Sequence, residues 1–429
     1  MTARAARSLG ISLFDPRTGG LVRTGTLRRE GFDLRFIVDE AYLQLGPERP
    51  VLSSTWVQTN DEAGSIARLR RTDDKWSRNG ILPPWFSNLL PEGALRNLVE
   101  QQLGSGLHDE FDVLLSQGQD LPGAVVAAAE DVPLKALPPP GPVPQEENGS
   151  PLIKFSLAGV QLKLSMRRAD QRVTFPVADE AGNMIVKLPA KSYPGLPEAE
   201  YLGMALARAA GIETAQFELI PIELIEGLSE EWRAVGRNAL MVHRFDRTAA
   251  GRVHMEDFAQ ILGVPVGERK YTQGNEQTIL NASRRLAEDS AGALLEATRR
   301  SVVNVLIGNG AAHLKNWALI YPDGRRARLS PAYDVVPTIL FGDDGTLAMT
   351  FFTEKRMKRI DIELYQRAAK IMRLDPRILA NMVSDTVKRA EAAWPKVVAD
   401  IGPAHGARER LALHWDSLTL TRERSNPFR

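Results

Sequence analysis

The sequence predicts an α+β protein of several domains, in which a mixed α/β N-terminal domain precedes a strand-rich lobe and a helical lobe. A chain of 429 residues is longer than one ordinary hydrophobic core requires. Residues 132–150 are rich in Pro, Gly and polar side chains, a composition that cannot build a core and therefore predicts a linker. After this linker, short strand-like runs give way to long stretches of helical periodicity.

The composition narrows the classes of function. Lys plus Arg (54) balances Asp plus Glu (53), so no overall field would hold nucleic acid, and we expect any DNA contact to be made through a partner. The sequence has no apolar run long enough to span a membrane and no signal-peptide pattern, so we expect a cytoplasmic protein without membrane contact. The absence of Cys excludes disulfides, thiolate nucleophiles and cysteine-based zinc sites.

The predicted N-terminal domain covers residues 1–131. Residues 32–45 and 121–130 are apolar and β-prone, which predicts strands. Residues 87–104 predict a helix that is entered through Pro and Glu and ended by Gly. This domain is therefore expected to be mixed α and β.

The predicted strand-rich lobe covers residues 151–245. It contains four short β-prone runs within 153–190, separated by turn residues, and then a helix at 197–211 that starts with Pro and Glu and stops at Gly211. From there to the end, residues 246–429, helical periodicity dominates, as in "EDFAQILG" (256–263) and the segment 375–402. The last part of the chain is therefore predicted to be a helical lobe.

The stretch "GNGAAHLKN" (308–316) is the strongest candidate for chemistry. An apolar helix precedes it, and Gly308 is predicted to end that helix, so the polar residues after it form a loop. A predicted hairpin with its turn at 322–324 then returns Asp334 beside Asn316. Helix, polar loop, hairpin and Asp is the order of a protein-kinase catalytic segment, in which a catalytic Asp stands five positions before the Asn. In this chain that position is Ala311, a methyl group.

Other kinase parts can be sought in the strand-rich lobe. Lys187 lies in the apolar run "MIVKLPA", where an ammonium group needs a phosphate or a carboxylate, and Glu200 in the following helix is a candidate partner. Ser156, Gly159 and Gln161 fall in a predicted turn between two strands, where a flexible backbone could cover phosphates. Residues 240–247, "LMVHRFDR", are predicted to join the two lobes.

These stretches resemble the HipA toxins, which are serine/threonine kinases of bacterial toxin–antitoxin pairs. The resemblance is carried by "KFSLAGVQLKLS", "MIVKLP", "EAEYLGMALARAAGI", "MVHRFDR", "EDFAQILGVP", "GNG-AHLKN" and "LSPAYDVVPT". The segment "FSNLLPEGALR…FDVLLSQGQDLPGAVV" is similar to the N-terminal subdomain of that family, so the resemblance spans nearly the whole chain. It implies a two-lobed, protein-kinase-like fold with an extra N-terminal subdomain.

The resemblance also implies roles for single residues. Lys187 would contact the phosphates of ATP, and Asn316 and Asp334 would bind Mg²⁺. Ser156 matches a site of inhibitory autophosphorylation in the glycine-rich loop. The remaining residues of the implied nucleotide site are Gly159, Gln161, Glu200, His243, Phe245, His313 and Tyr333, with His243 and Phe245 at the hinge and the adenine.

The implied activity is phosphorylation of a protein Ser or Thr with Mg²⁺ and ATP, with an aminoacyl-tRNA synthetase as target, so that translation stalls and growth is arrested. The implied partner is a HipB-like helix-turn-helix antitoxin, through which the complex would bind operator DNA and repress its own operon. The family pattern in the stretch 308–316 has Asp where this chain has Ala311, so we predict a kinase inactivated by an Asp-to-Ala replacement. Two alternatives stay open: a natural pseudokinase that acts as a transcriptional co-repressor, and a small-molecule phosphotransferase.

Overall fold

The computed structural model describes residues 7–58, 60–104, 108–130, 162–169, 172–174, 181–228 and 230–429. The predicted linker and the three predicted site residues Ser156, Gly159 and Gln161 lie outside the described residues. The chain divides into two compact units: the first holds Met1–Pro194, Ile220–Gly267 and Ile320–Arg326, and the second holds Gly195–Leu219, Glu268–Leu319 and Ala327–Arg429. Because the chain passes between the units several times, these divisions differ from the domain boundaries proposed at 131, 150 and 245, which stay predictions.

The strands of the described residues are β1 (Ser8–Asp15), β2 (Gly20–Glu30), β3 (Asp33–Val38), β4 (Trp76–Ser77), β5 (Val125–Ala129), β6 (Lys163–Ala169), β7 (Arg172–Thr174), β8 (Met184–Lys187), β9 (Phe217–Pro221), β10 (Asn238–His243), β11 (Arg247–Thr248), β12 (Gly251–Arg252), β13 (His254–Asp257), β14 (Ala318–Tyr321), β15 (Arg328–Leu329), β16 (Thr346–Phe351) and β17 (Glu354–Arg356). The α-helices are α1 (Glu40–Gln44), α2 (Glu62–Arg70), α3 (Pro84–Ser87), α4 (Gly93–Gln102), α5 (Glu110–Gln117), α6 (Leu196–Ala209), α7 (Glu230–Arg233), α8 (Phe258–Ile261), α9 (Glu276–Leu286), α10 (Ser290–Ile307), α11 (Ile362–Ile371), α12 (Pro376–Ile401) and α13 (His405–Ser417).

The first unit contains an antiparallel sheet with the strand order β4-β3-β2-β1-β5. Leu9, Ile11 and Leu13 are fully buried in β1. They lie on one face of the sheet, because every second side chain of a strand points to the same face. The strand predicted within 121–130 is confirmed as β5. The prediction for 32–45 was wrong in its second half: β3 ends at Val38, and Asp39 is the N-cap residue of α1.

The predicted helix at 87–104 is shorter in the structure. It forms α4, which begins at Gly93 after the Pro91–Glu92 pair, and Gly104 follows it with a φ of +93°. Residues 88–92, before α4, lie outside any α-helix. A positive φ is accessible to glycine at little cost, which explains the stop.

A second sheet of the first unit contains the strands in the order β7-β6-β8-β10. Leu164, Met166 and Val186 are buried along its central strands. These strands confirm the β-prone runs "QLKLSM" and "NMIVKLPA". The alternation of side chains in β6 and β8 decides which lysines share a face, and this matters for the candidate site.

The second unit is mainly helical. Helix α10 packs against α9 and α12, and α12 also packs against α6 and α11. Trp394 of α12 and Trp415 of α13 are fully buried with ring centroids 5.7 Å apart, and the Trp394 indole N–H donates to the Leu206 carbonyl at 2.9 Å. These contacts tie α6 and the C-terminal helices into one core.

The helix predicted for "EDFAQILG" is only one turn, α8, and it lies in the first unit. Glu256 and Asp257 belong to β13, and the Asp257 carboxylate caps α8 by accepting from the Gln260 N–H at 2.8 Å. Because Asp257 is the N-cap residue, α8 begins directly after it and does not include Glu256. Within the described part of the chain, no helix is long and apolar enough to cross a membrane.

Candidate active site

Helix α10 delivers the stretch 308–316. Asp289 caps its start by accepting from the Gly292 N–H at 2.9 Å, and Gly308 ends it with a φ of +70°. A Cβ atom on Gly308 would come within 2.7 Å of the Ile339 Cβ, so both conformation and space require glycine here. The predicted end of the helix at Gly308 is confirmed.

The loop after Gly308 is held by hydrogen bonds on both sides of Ala311, whose own carbonyl accepts from the His313 N–H at 2.8 Å. The Asn309 side chain accepts from the Ala311 N–H at 3.1 Å and donates to the Asn304 side chain at 2.9 Å. The Gly310 N–H donates to the Thr338 hydroxyl at 2.7 Å. Residue 311 is therefore fixed in place, although its own side chain is a half-buried methyl group.

Asn316 and Asp334 lie side by side in the second unit. The hairpin predicted around 322–324 forms from β14 and β15, with the Ser330 N–H donating to the Ala318 carbonyl at 2.9 Å. Asn316 Nδ2 lies 3.2 Å from Asp334 Oδ2, and Asn316 Oδ1 accepts from the His313 N–H at 3.0 Å. The predicted proximity of these two side chains is confirmed, whereas their role as metal ligands stays a prediction.

Asp334 has an uncommon backbone conformation. Its φ is +55°, in the left-handed region that residues other than glycine seldom adopt and that Asp tolerates better than most. Such conformations persist where the surrounding structure imposes them, often at functional sites. Just before Asp334, the Tyr333 hydroxyl donates to the Lys315 carbonyl at 3.0 Å, which links the segment back to the loop.

The pair of side chains fits the coordination that Mg²⁺ prefers. A carboxylate and a carboxamide oxygen are hard ligands, and Mg²⁺ usually takes one or two protein groups together with waters and phosphates. Among the residues that the structure describes, no group of three or more His, Cys, Asp or Glu could hold a metal ion. A site with two protein ligands therefore suits a metal bound together with a nucleotide better than a structural metal.

His313 and Glu200 are also in the second unit and are buried. The His313 ring packs edge-on against Tyr271, with centroids 5.0 Å apart. Glu200 lies on α6, and a Cβ on Gly203 of the same helix would come within 2.2 Å of the Val335 carbonyl oxygen. Helix α6 thus approaches the backbone directly after Asp334.

Lys187 lies in the first unit, at the end of β8, and is 2% exposed. Directly opposite it on β6 is Lys163, which is 6% exposed. Residues paired across an antiparallel ladder have their side chains on the same face, so these two buried lysines share one face of the sheet. Lys163 was not among the predicted site residues, although a lysine between the apolar Leu162 and Leu164 is the same kind of signal as Lys187 in its apolar run.

His243 and Phe245 are half-buried and flank the buried Arg244 at the end of β10. The Arg244 guanidinium donates to Asp120 Oδ1 and to Asp246 Oδ2, each at 2.8 Å. Burial raises the pKa of the Asp246 carboxyl, but the charges of Arg244 and Arg247 outweigh it and hold that pKa well below its ordinary value. Residues 240–247 lie within the first unit, and their predicted role as a connection between lobes stays a prediction.

Strands and helices in this order, with an Asn–Asp pair presented by a loop and a hairpin, define a protein-kinase-like fold. Comparison with protein-family models agrees with this class. The model of the HipA-like C-terminal domain matches residues 155–394, and the model of the HipA N-terminal domain matches residues 20–128. The chain belongs to the HipA family.

Two relatives from Sinorhizobium fredii support this assignment. The protein named "Putative kinase Y4dM" is 36% identical over 420 residues, which cover 96% of this chain and 98% of the relative. The protein named "Putative kinase Y4mE" is 30% identical over 394 residues, or 85% of this chain and 90% of the relative. Among solved structures, HipA of Shewanella oneidensis MR-1, in complex with HipB and operator DNA, has a similar fold, with a TM-score of 0.69, 21% identity and 95% of each chain covered.

Proposed function

We propose that this chain has the scaffold of a serine/threonine protein kinase toxin and that Ala311 has inactivated it. The observation that carries the proposal is the pairing of Asn316 with Asp334. These residues follow Ala311 by five and twenty-three positions, and Ala311 is fixed in the loop but carries no carboxylate. The kinase class itself agrees with the family and with the names of its relatives.

In the proposed site, Asn316 and Asp334 would hold Mg²⁺, and Lys187 with Lys163 would face the phosphates of ATP. The two lysines are paired across the β6–β8 ladder, and ammonium groups on one face of a sheet are suitable donors to a polyphosphate. His243 and Phe245 would contact the adenine, and Ser156, Gly159 and Gln161 would cover the phosphates. When bound, Mg²⁺ neutralises charge that develops on the transferred phosphoryl group.

The proposed reaction transfers the γ-phosphoryl group to a protein hydroxyl. A carboxylate at position 311 would accept the proton of a Ser or Thr hydroxyl, whose oxygen bonds to the γ-phosphorus while the bond to the β,γ-bridging oxygen breaks and ADP leaves. Ala311 cannot accept a proton. Loss of a general base costs roughly 10²–10⁴-fold in rate, while nucleotide binding need not change.

The proposed target is an aminoacyl-tRNA synthetase, so that the active form would inhibit translation and arrest growth. The proposed partner is a HipB-like antitoxin that brings the chain to its operator DNA. Support for this partner comes from the solved HipA structure, which is a complex with HipB and operator DNA. A second candidate function, favoured by Ala311 itself, is that of a natural pseudokinase that acts solely as a co-repressor.

The proposal is tested by transfer of labelled phosphate from ATP. The chain and its Ala311→Asp variant would each be incubated with a panel of purified aminoacyl-tRNA synthetases, and mass spectrometry would follow Ser156. We expect the Ala311→Asp variant, and not the unchanged chain, to label a synthetase and its own Ser156. If the variant labels nothing but retains Mg·ATP, the co-repressor function is favoured. Equal labelling by the unchanged chain would contradict inactivation by Ala311.

A further inference from the structure

The backbone around Ala311 is held by side chains from two different parts of the second unit. On one side, the Asn309 carboxamide accepts from the Ala311 N–H at 3.1 Å, and Asn309 is 1% exposed. On the other side, the Thr338 hydroxyl accepts from the Gly310 N–H at 2.7 Å. Backbone dihedrals decide which rotamers a side chain can adopt, so these two bonds constrain the direction in which residue 311 projects.

The bonds of the Thr338 hydroxyl can be assigned by counting donors and acceptors. A hydroxyl has one hydrogen to donate and two lone pairs. The Thr338 oxygen lies 2.6 Å from Asp343 Oδ2 and 3.0 Å from the Gly308 carbonyl oxygen. The Gly308 carbonyl already accepts from the Ile339 N–H at 3.1 Å, and a carboxylate is the stronger acceptor. The hydrogen therefore goes to Asp343, and a lone pair faces the Gly310 N–H.

Asp343 orients this hydroxyl and closes over the loop. Its other oxygen, Oδ1, accepts from the Gly345 N–H at 3.0 Å, which holds the carboxylate in one orientation. A Cβ on Gly310 would come within 2.1 Å of Asp343 Oδ2 and 2.7 Å of the Thr346 carbonyl oxygen. Only a residue without a Cβ permits such a close approach. The Asp343 side chain therefore lies directly against Gly310, one residue before Ala311.

Thr338 belongs to the same segment as Asp334 and follows it by four positions. This segment has little conformational freedom. Pro337, with a φ of −70°, directly precedes Thr338, and a Cβ on Gly203 of α6 would lie within 2.8 Å of the Pro337 Cδ. The bond between Thr338 and Gly310 therefore joins the loop to the backbone that carries the predicted metal ligand.

We propose that Thr338, held by Asp343, is a positioning residue that aligns a carboxylate at position 311 with the Asn316–Asp334 pair. The inference rests on the proposed function, because it assumes that position 311 is the place of the general base. A general base must lie within hydrogen-bond reach of the hydroxyl whose proton it takes, and a displacement of about 1 Å can cost about 100-fold in rate. Thr338 therefore affects the rate of phosphoryl transfer and not the affinity for Mg·ATP.

Steady-state transfer of labelled phosphate in the Ala311→Asp background tests this role. Thr338→Val keeps the shape of the side chain and removes its hydroxyl. We expect kcat to fall about 10- to 100-fold, while KM for Mg·ATP changes by less than about twofold. Thr338→Ser keeps the hydroxyl and should restore kcat to within about threefold of the background.

Thr386→Val is the matched control. Thr386 is fully buried in α12 of the same unit, and its hydroxyl donates to the Met382 carbonyl at 2.7 Å, within its own helix. The same substitution there should leave kcat unchanged. Equal losses for Thr338→Val and Thr386→Val, a change confined to KM, or no recovery with Thr338→Ser would overturn the inference.

Hydrogen exchange of the Gly310 amide in the unchanged chain requires no activity and separates this inference from the proposed function. Loss of one hydrogen bond should speed the exchange roughly fivefold in Thr338→Val, with no change in Thr338→Ser or Thr386→Val. Transfer by the Ala311→Asp variant that does not depend on Thr338 would retain the kinase and reject the positioning role. Faster exchange without any transfer by that variant would retain the contact with Gly310 but reject the kinase, and the positioning role with it.

Discussion

Asn316 Nδ2 lies 3.2 Å from Asp334 Oδ2, and Asp334 holds this position with a φ of +55°. The two residues are eighteen positions apart and are brought together by the β14–β15 hairpin. The Asn316 side chain keeps its oxygen toward the His313 N–H, and that oxygen still has a second lone pair for a metal ion. This relationship is the geometric basis of the first two predictions.

Ala311→Asp should restore phosphoryl transfer. Because a positioned general base contributes roughly 10²–10⁴-fold, the variant should exceed the unchanged chain by about that factor in a labelled-ATP assay. Ala311→Asn is the matched control, since it adds nearly the same volume without a basic oxygen. Equal gains for both variants would show that side-chain volume, and not proton transfer, limits the rate.

Asp334→Asn should weaken Mg²⁺-dependent nucleotide binding and leave the fold intact. Asn tolerates the left-handed conformation nearly as well as Asp, so the backbone need not change, but the carboxylate charge is lost. We expect the affinity for Mg·ATP, measured by calorimetry, to fall at least about tenfold, with little change in binding without Mg²⁺. Asp323→Asn, on the partly exposed β14–β15 turn, serves as the control. An unchanged Mg·ATP affinity would remove Asp334 from the metal site.

Asp120→Asn should destabilise the first unit strongly. Asp120 is 4% exposed and accepts from Arg244 at 2.8 Å and Arg247 at 3.0 Å, so the variant leaves buried cations without one of their counter-charges. Breaking such a buried pair costs about 3–5 kcal/mol in the free energy of unfolding. Denaturant unfolding would measure it.

Glu40→Gln provides the comparison for Asp120→Asn. Glu40 pairs with Arg70 at 3.0 Å on the surface, where both side chains are at least 60% exposed. The cost there should be below about 1 kcal/mol. Equal costs for the two variants would mean that the Asp120 cluster adds nothing beyond an ordinary surface pair.

Stability should fall as pH rises because of Glu276. Burial raises the pKa of the Glu276 carboxyl to about 7, although the Ser301 hydroxyl, which donates to it at 2.8 Å, opposes the shift. The folded state therefore binds a proton more tightly than the unfolded chain. The resulting stabilisation is fully present below the ordinary Glu pKa and is lost as pH rises through about 7. Above that pH, Glu276 causes no further change in stability.

The size of this pH effect is about 3 kcal/mol in the free energy of unfolding. Glu276→Gln cannot titrate and should lose that part of the slope. Urea unfolding of both proteins at acidic and mildly alkaline pH would give the change in the free energy of unfolding for each. Subtracting one change from the other removes the contribution of titrating groups that both proteins share. Parallel pH profiles would show that Glu276 does not titrate in this range.

Local sequence signals were reliable where one residue type decides the backbone. Gly308 ends α10 and Gly104 follows α4 because the left-handed conformation favours glycine. They failed where apolar residues continue across a boundary: β3 gives way to α1 at Asp39, and "EDFAQILG" is split between β13 and α8. At both places an Asp occupies the N-cap position of a helix inside a stretch whose hydrophobicity suits either structure, and at Asp257 the side chain itself accepts from the helix backbone.

The sequence by itself determined the family, the strand and helix signals around the loop 308–316, the proximity of Asn316 and Asp334, and the missing carboxylate at Ala311. The family resemblance spans nearly the whole chain, whereas the other three depend on residues close in sequence or joined by one hairpin. Tertiary structure alone decided that Lys163 lies opposite Lys187, that Asp120 meets Arg244, and that Asp343 rests on Gly310. These contacts join residues from 24 to 124 positions apart through strand register and packing, which no local pattern of hydrophobicity or turn residues specifies.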